Sequence, residues 1–168
     1  GDKFDIKKIK ARMVKNDLLP PSPFRTVDTL KIAKREFAFT SNRLDYICDH
    51  LFGTGKLDSG MDLWKRCLQG DESAFEEMRN YNAMDVELLD KLYTTIRAWD
   101  RSHPVLQHPE DGCTVCGSPN VTLIPDKFVY TNVSKFALYR CDDCGHNMRG
   151  AHNLRPQEEM ANRMVNAR

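Results

Sequence analysis

This sequence is short of several things, and each shortage excludes something. No apolar run approaches the roughly 18–20 residues that a bilayer span requires, and 29% of the residues are charged, so no membrane partner is expected. Net charge is also missing. The 25 Lys and Arg nearly balance the 24 Asp and Glu, leaving a formal +1, and global charge therefore selects no partner. The first residue is Gly1 rather than Met, and residues 1–10 are polar and basic, which suits neither a secretory signal nor a membrane anchor. A processed or truncated chain is expected. There is no internal repeat and no low-complexity segment, so the chain is not a repeat array.

What remains is an ordinary globular composition, 40% hydrophobic over 168 residues, enough for one domain plus a small module. Charge is uneven locally. Residues 1–40 hold ten Lys or Arg against five Asp or Glu, with Lys7, Lys8, Lys10, Arg12 and Lys15 close together. Such a patch suits phosphate or simply a solvated helix face.

Hydrophobic spacing predicts helices over most of the first hundred residues. Ile6, Ile9 and Met13 share a face of a helix over residues 5–16, ended by Pro20, Pro21 and Pro23. Residues 25–28 read as a short strand. Leu30, Ala33 and Phe37 mark a second helix. Thr40 and Ser41 offer caps to a third, with Leu44, Ile47, Cys48 and Leu51 expected inside, and Gly53 and Gly55 break it. Trp64, Cys67 and Leu68 fall at helical spacing before Gly70. Asp71 is a cap for a long amphipathic helix carrying Phe75, Met78, Val86, Leu89, Leu92 or Tyr93, and Ile96 toward Trp99. Cys48 and Cys67 read as small core residues.

The expected organisation is a domain over residues 1–101, a linker over 102–111 with prolines and histidines, a β module over 112–155, and a tail over 156–168 with a weak helix around Met160 and Met164. A strand is expected over 136–139.

Four of the six cysteines form two C-x-x-C pairs, Cys113 with Cys116 and Cys141 with Cys144, separated by 24 residues and each followed by glycine. That pattern points to metal rather than disulfides. Four thiolates meet the tetrahedral preference of zinc and leave no open position, so the site reads as structural, a zinc ribbon. Independent redox thiols and an iron–sulfur cluster are the competing readings. His146 and His152 lie near the second pair. Nothing in this cysteine usage requires an oxidising compartment, and a cytoplasmic protein is expected. Lys127, Lys135, Arg140, Arg149 and Arg155 interleave with Phe128, Tyr130, Phe136 and Tyr139. Those aromatics serve nucleic-acid stacking, a protein contact or the module's own core.

Tyr81 and Asp85 form a Y-x-x-x-D motif, and residues four apart share one helix face. Metal-dependent phosphodiester hydrolysis gathers carboxylates around divalent ions and benefits from a hydroxyl that orients water. About 80 residues upstream, Phe4 and Asp5 open a helix.

With these motifs, residues 1–100 resemble the DEDD superfamily of 3′–5′ exonucleases, tyrosine subclass, which has a ribonuclease-H-like fold. Phe4-Asp5 matches the end of that family's second motif, and Tyr81 and Asp85 match the third. Residues 27–30 and the segment 42–65 look like phage-type or predicted exonucleases of this kind. The resemblance implies that Asp5 and Asp85 bind magnesium or manganese, that Tyr81 positions the nucleophilic water, and that DNA or RNA is the substrate. Asp28 reads better as a helix cap.

The family's first motif, a D-x-E on the opening strand, would lie upstream of Gly1 and is not in this sequence, nor are the asparagine before the second motif and the opening strands. The implied fold class is therefore an α/β ribonuclease-H-like fold without its N-terminal strands, mostly α here, plus a small β ribbon. The fragment alone is expected to be inactive, with a longer native chain or a second chain supplying the rest. The ribbon would hold substrate or a replication protein. A non-catalytic nucleic-acid module and a protein-interaction scaffold are the alternatives.

Overall fold

The computed structural model describes residues 4–54, 60–105 and 112–165. The chain divides into two compact units, Gly1–Asp100 and Arg101–Arg168.

Helices α1 (Asp5–Lys15), α2 (Thr29–Glu36), α3 (Leu44–Phe52), α4 (Met61–Leu68) and α5 (Glu72–Ile96) make up the first unit, and a 3₁₀ turn (Arg97–Trp99) ends α5. Its core is Ile32, Ala33, Ile47, Cys48, Leu92 and Ile96, with Val27, Phe37, Phe39, Leu44, Phe52 and Leu88 packed against them. Each large aliphatic chain in that cluster contributes about 1.5–3 kcal/mol by leaving water. The core is where α2 and α3 meet the C-terminal half of α5. Phe37 stacks on Phe39 with ring centres 5.3 Å apart and meets Trp99 edge-on at 5.7 Å. Arg35 reaches past Glu36 to pair with buried Asp100, which fastens α2 to the end of the unit.

The start of α5 is fixed by polar contacts. The Asp71 carboxylate accepts the N–H groups of Ser73 at 2.9 Å and Ala74 at 3.2 Å, satisfying two of the donors a helix start leaves open. Arg66 on α4 donates to Asp71 at 2.9 Å, to Ser73 at 2.9 Å and to Glu77 at 3.1 Å. The Ser73 hydroxyl, then Arg66, then the Ala74 N–H hold the Asp71 carboxyl down at about 2.

Several expectations need correction. Residues 25–28 form no strand; they are extended chain running into α2, where Asp28 accepts the Leu30 N–H at 3.1 Å as a cap. The inward face of α4 is Leu63 rather than Trp64 and Leu68, which are 53% and 88% exposed. Val86, Leu89, Phe75 and Leu51 also lie at the surface. Helical period alone does not say which of two apolar stripes meets a neighbour. Gly55 and most of the segment 102–111 lie outside the described residues.

The second unit is a three-stranded antiparallel sheet in the order β1 (Val121–Tyr130), β2 (Lys135–Cys141), β3 (Asn147–Arg149), followed by the short α6 (Gln157–Ala161). Val121 pairs with Cys141 and Tyr130 with Lys135. The register shifts between Leu123 and Phe128. That bulge holds Pro125, which has no N–H to give to a ladder, and Asp126 at φ 57°.

Candidate functional site

The cysteine site is local in origin. In each knuckle the glycine N–H returns to the carbonyl of the first cysteine, Gly117 to Cys113 and Gly145 to Cys141, both at 2.9 Å. The glycines take φ 76° and 78°, a left-handed conformation that other residues rarely adopt. Both turns thereby aim two sulfurs the same way. β1 and β2 start and end at the knuckles, so the sheet brings the two turns face to face.

The four sulfurs lie within 4.8 Å of one another, with Cys113 to Cys144 and Cys116 to Cys141 each 3.6 Å apart. All four cysteines are free thiols. A disulfide needs about 2.05 Å, whereas four sulfurs about 2.3 Å from one central ion stand ~3.8 Å apart. The spacing is that of a shared ion. Among the described residues no other group of three or more His, Cys, Asp or Glu side chains gathers in this way.

The electrostatics set Cys141 apart from Cys116 and Cys144. Burial works against the Cys141 thiolate, but the N–H groups of Cys144 and Asp143 and the neighbouring thiols outweigh it and hold Cys141 below the ordinary thiol value. Burial pushes Cys144 and Cys116 up. Thiols held up in this way lose their protons to an arriving cation, which couples binding to folding.

A polar latch joins the two knuckles, and the sequence reading did not foresee it. Asp143 accepts the Ser118 hydroxyl and the Asn120 amide, which hold its carboxyl below the usual range, Ser118 first. Asp142 accepts Thr122 Oγ1 at 2.7 Å, and its N–H donates to the Asn120 carbonyl at 2.9 Å. The signal was available in the two aspartates between Cys141 and Cys144. His146 is buried, and its carbonyl accepts the Cys141 N–H at 2.9 Å; His152 is exposed. Neither belongs to the sulfur cluster.

The first unit carries the other candidates. Tyr81 and Asp85 lie on α5, one turn apart and half-buried. They continue the stripe of Leu88, Leu92 and Ile96, which covers the core, toward the helix N-terminus. Asp85 bears on Cys48 of α3. Burial pushes the Cys48 thiol up, Lys91 pulls against it, and the charges of Asp45 and Asp85 add to the rise. Lys91 and Asp85 of α5 thus both act on Cys48, and the Tyr81 phenol lies one turn from Asp85.

Asp5 sits in the first turn of α1, exposed, where its charge suits the helix N-terminus. α1 buries no residue. With the segment 18–26 it encloses an apolar cleft of about 750 Å³ lined by Ile6, Met13, Val14, Leu18 and Phe24 among others. Asp5 and Asp85 therefore stand on separate elements. Asp28 lines a second cleft, of about 500 Å³, against Val86, Leu89, Asp90 and Tyr93, on a different stripe of α5 from Tyr81 and Asp85. No helix among the described residues is long and apolar enough to cross a membrane.

The family model describing the RNase_H superfamily matches residues 1–97. No curated protein and no solved structure matches the chain.

Proposed function

The chain belongs to the RNase H superfamily, and from that premise we propose that the full-length protein is a metal-dependent 3′–5′ exonuclease of the DEDD type, tyrosine subclass, acting on DNA or RNA. The observation that carries the reading is the stripe of α5 on which Tyr81 and Asp85 follow Leu92 and Leu88 within the matched region. A core-facing stripe that turns polar over one helical turn brings a phenol and a carboxylate together, which supports a catalytic role for both.

In this reading Asp5 and Asp85 offer the hard oxygen donors that magnesium or manganese prefers. Such a cation, when bound, makes hydroxide available at neutral pH and steadies charge on the leaving oxygen. Tyr81 donates or accepts one hydrogen bond at the attacking water and so fixes its direction. Among the described residues no three carboxylates gather into one site, so two-metal hydrolysis needs donors beyond Asp5 and Asp85. That same observation favours the second reading, a nucleic-acid-binding module without catalysis.

We assign zinc to the four cysteines. The sulfur spacing matches one central ion, a multi-iron cluster spreads its cysteine sulfurs farther, and four thiolates leave no position open for substrate. The role is structural, as in a zinc ribbon.

The test is an assay of the full-length protein on 3′ ends of labelled DNA and RNA, with and without magnesium or manganese. The expected result is stepwise shortening that needs the metal and falls about a thousandfold in Asp85→Ala, the loss of several kcal/mol of charge stabilisation. Binding without shortening would favour the second reading.

A further inference from the structure

The hairpin tip of the second unit, at the end of β1 and β2 away from the cysteines, holds a built arrangement of rings and cations. Tyr130 and Lys135 pair across the hairpin. The Lys135 ammonium stands 3.6 Å from the Phe128 ring centre, and Phe128 meets Tyr130 edge-on at 6.4 Å. The Arg155 guanidinium lies 5.9 Å from the Tyr130 ring. One side chain organises the cations. The Asn153 carboxamide oxygen accepts the N–H groups of both Lys135 and Arg155, each at 3.1 Å, and Leu154 donates to the Lys135 carbonyl at 2.7 Å. The chain after β3 is thereby sewn to the edge of β2, and Arg155 arrives beside Lys135.

Tyr130 is nevertheless 59% exposed. An aromatic ring held by Phe128 and Arg155 has little rotamer freedom left to lose on binding, and more than half of the residue stays open to another π system. Cations outnumber acids on the strands beside it, while α6, which Asn153 reaches at Met160, brings Glu158 and Glu159. The three strands carry Lys127, Lys135, Arg140 and Arg149 against a single acid, Asp126 in the bulge. Asp142 and Asp143 are engaged in the latch at the other end, about 20 Å away at the rise of a strand.

We propose that Phe128, Tyr130, Lys135 and Arg155 form a docking place for single-stranded nucleic acid, one base stacking on Tyr130 and the two cations meeting the phosphates beside it. Stacking on an open ring is tolerant of sequence, and cations beside it track the backbone. The inference deepens the reading of the protein as one that acts on nucleic acid: the hairpin tip grips the strand that the first unit processes.

The experiment is a titration of the zinc-loaded full-length protein into fluorescein-labelled deoxythymidine and uridine homopolymers, followed by anisotropy at several salt concentrations without magnesium or manganese. Tyr130→Ala is expected to raise Kd about fivefold or more, while Tyr130→Phe, which keeps the ring, stays near wild type. Arg155→Ala is expected to reduce the salt slope by about one phosphate contact. Because Tyr130 is exposed, its truncation is expected to leave the melting temperature unchanged, and that is measured alongside. An unchanged Kd in a folded Tyr130→Ala overturns the proposal even if wild type cleaves in magnesium, and cleavage then keeps the nuclease reading alone. A Tyr130-dependent Kd without cleavage supports the docking place and removes the nuclease. No wild-type binding at low salt overturns the docking place and leaves this face to a protein partner.

Discussion

The two units distribute their candidate site residues in opposite ways. In the second, all four sulfurs come from two tight turns, each complete within five residues, and a short sheet only has to bring the turns together. In the first, Tyr81 and Asp85 share a helix but Asp5 belongs to another, and α1 buries nothing. The cysteine unit packs Val115, Val121 and Met148 around its sulfurs, and both units leave large apolar side chains at the surface, Val14, Leu19 and Leu68 in the first and Leu123, Tyr130 and Met164 in the second. A metal cage made of local turns is self-contained. A carboxylate site made of distant helices is only as good as the packing that joins them.

The sharpest way to break that comparison is to remove the metal. A structural zinc supplies about 10–16 kcal/mol to a small module, so chelation or Cys141→Ser is expected to unfold the sheet outright. The helical circular dichroism of the first unit should persist. Zinc assay together with amide chemical-shift dispersion checks both halves, and loss of helix on chelation would show that the units are not independent. Next in size is Ile96→Ala, which empties part of the core where α5 meets α2 and α3. It is expected to cost about 2–5 kcal/mol in denaturant unfolding of the first unit and to leave zinc content unchanged.

Tyr81→Phe probes the helix stripe directly. It keeps the ring and removes one hydroxyl, so it should slow metal-dependent cleavage about a hundredfold while unfolding as wild type does. Equal rates would detach the phenol from the chemistry. The smallest effect concerns the α5 cap. The Asp71 carboxyl lies at about 2 in the folded state against an ordinary 3.8. Its charge therefore stabilises the fold above that ordinary value, and the contribution fades as pH falls through about 2. Asp71→Asn keeps a capping oxygen but not the charge. The small stability difference between it and wild type should narrow over that window, measured by denaturant unfolding at each pH.

Much of this was legible in the sequence because it is local. The C-x-x-C-Gly repeats predict two glycine-closed turns, and the turns are there. Asp71 at the start of a long apolar period predicts the cap of α5, and it caps. Pairing across the molecule was less legible. Leu63 rather than Trp64 faces inward on α4, and Arg35 finds Asp100 sixty-five residues away. The Asn153 clamp on Lys135 and Arg155 depends on a loop returning to a strand edge, which no periodicity announces. The mixed charges of Lys91, Asp45 and Asp85 around Cys48 likewise follow from α3 lying against α5.

The proposed exonuclease needs one cation held jointly by the carboxylates of Asp5 and Asp85. Manganese added to crystals of the full-length protein, located by its anomalous scattering, tests this directly. The expected result is an ion about 2.0–2.2 Å from an oxygen of each side chain, with the Tyr81 hydroxyl near the ion's open side. Manganese bound to neither residue, or the two carboxylates turned to opposite faces of the protein, would contradict it.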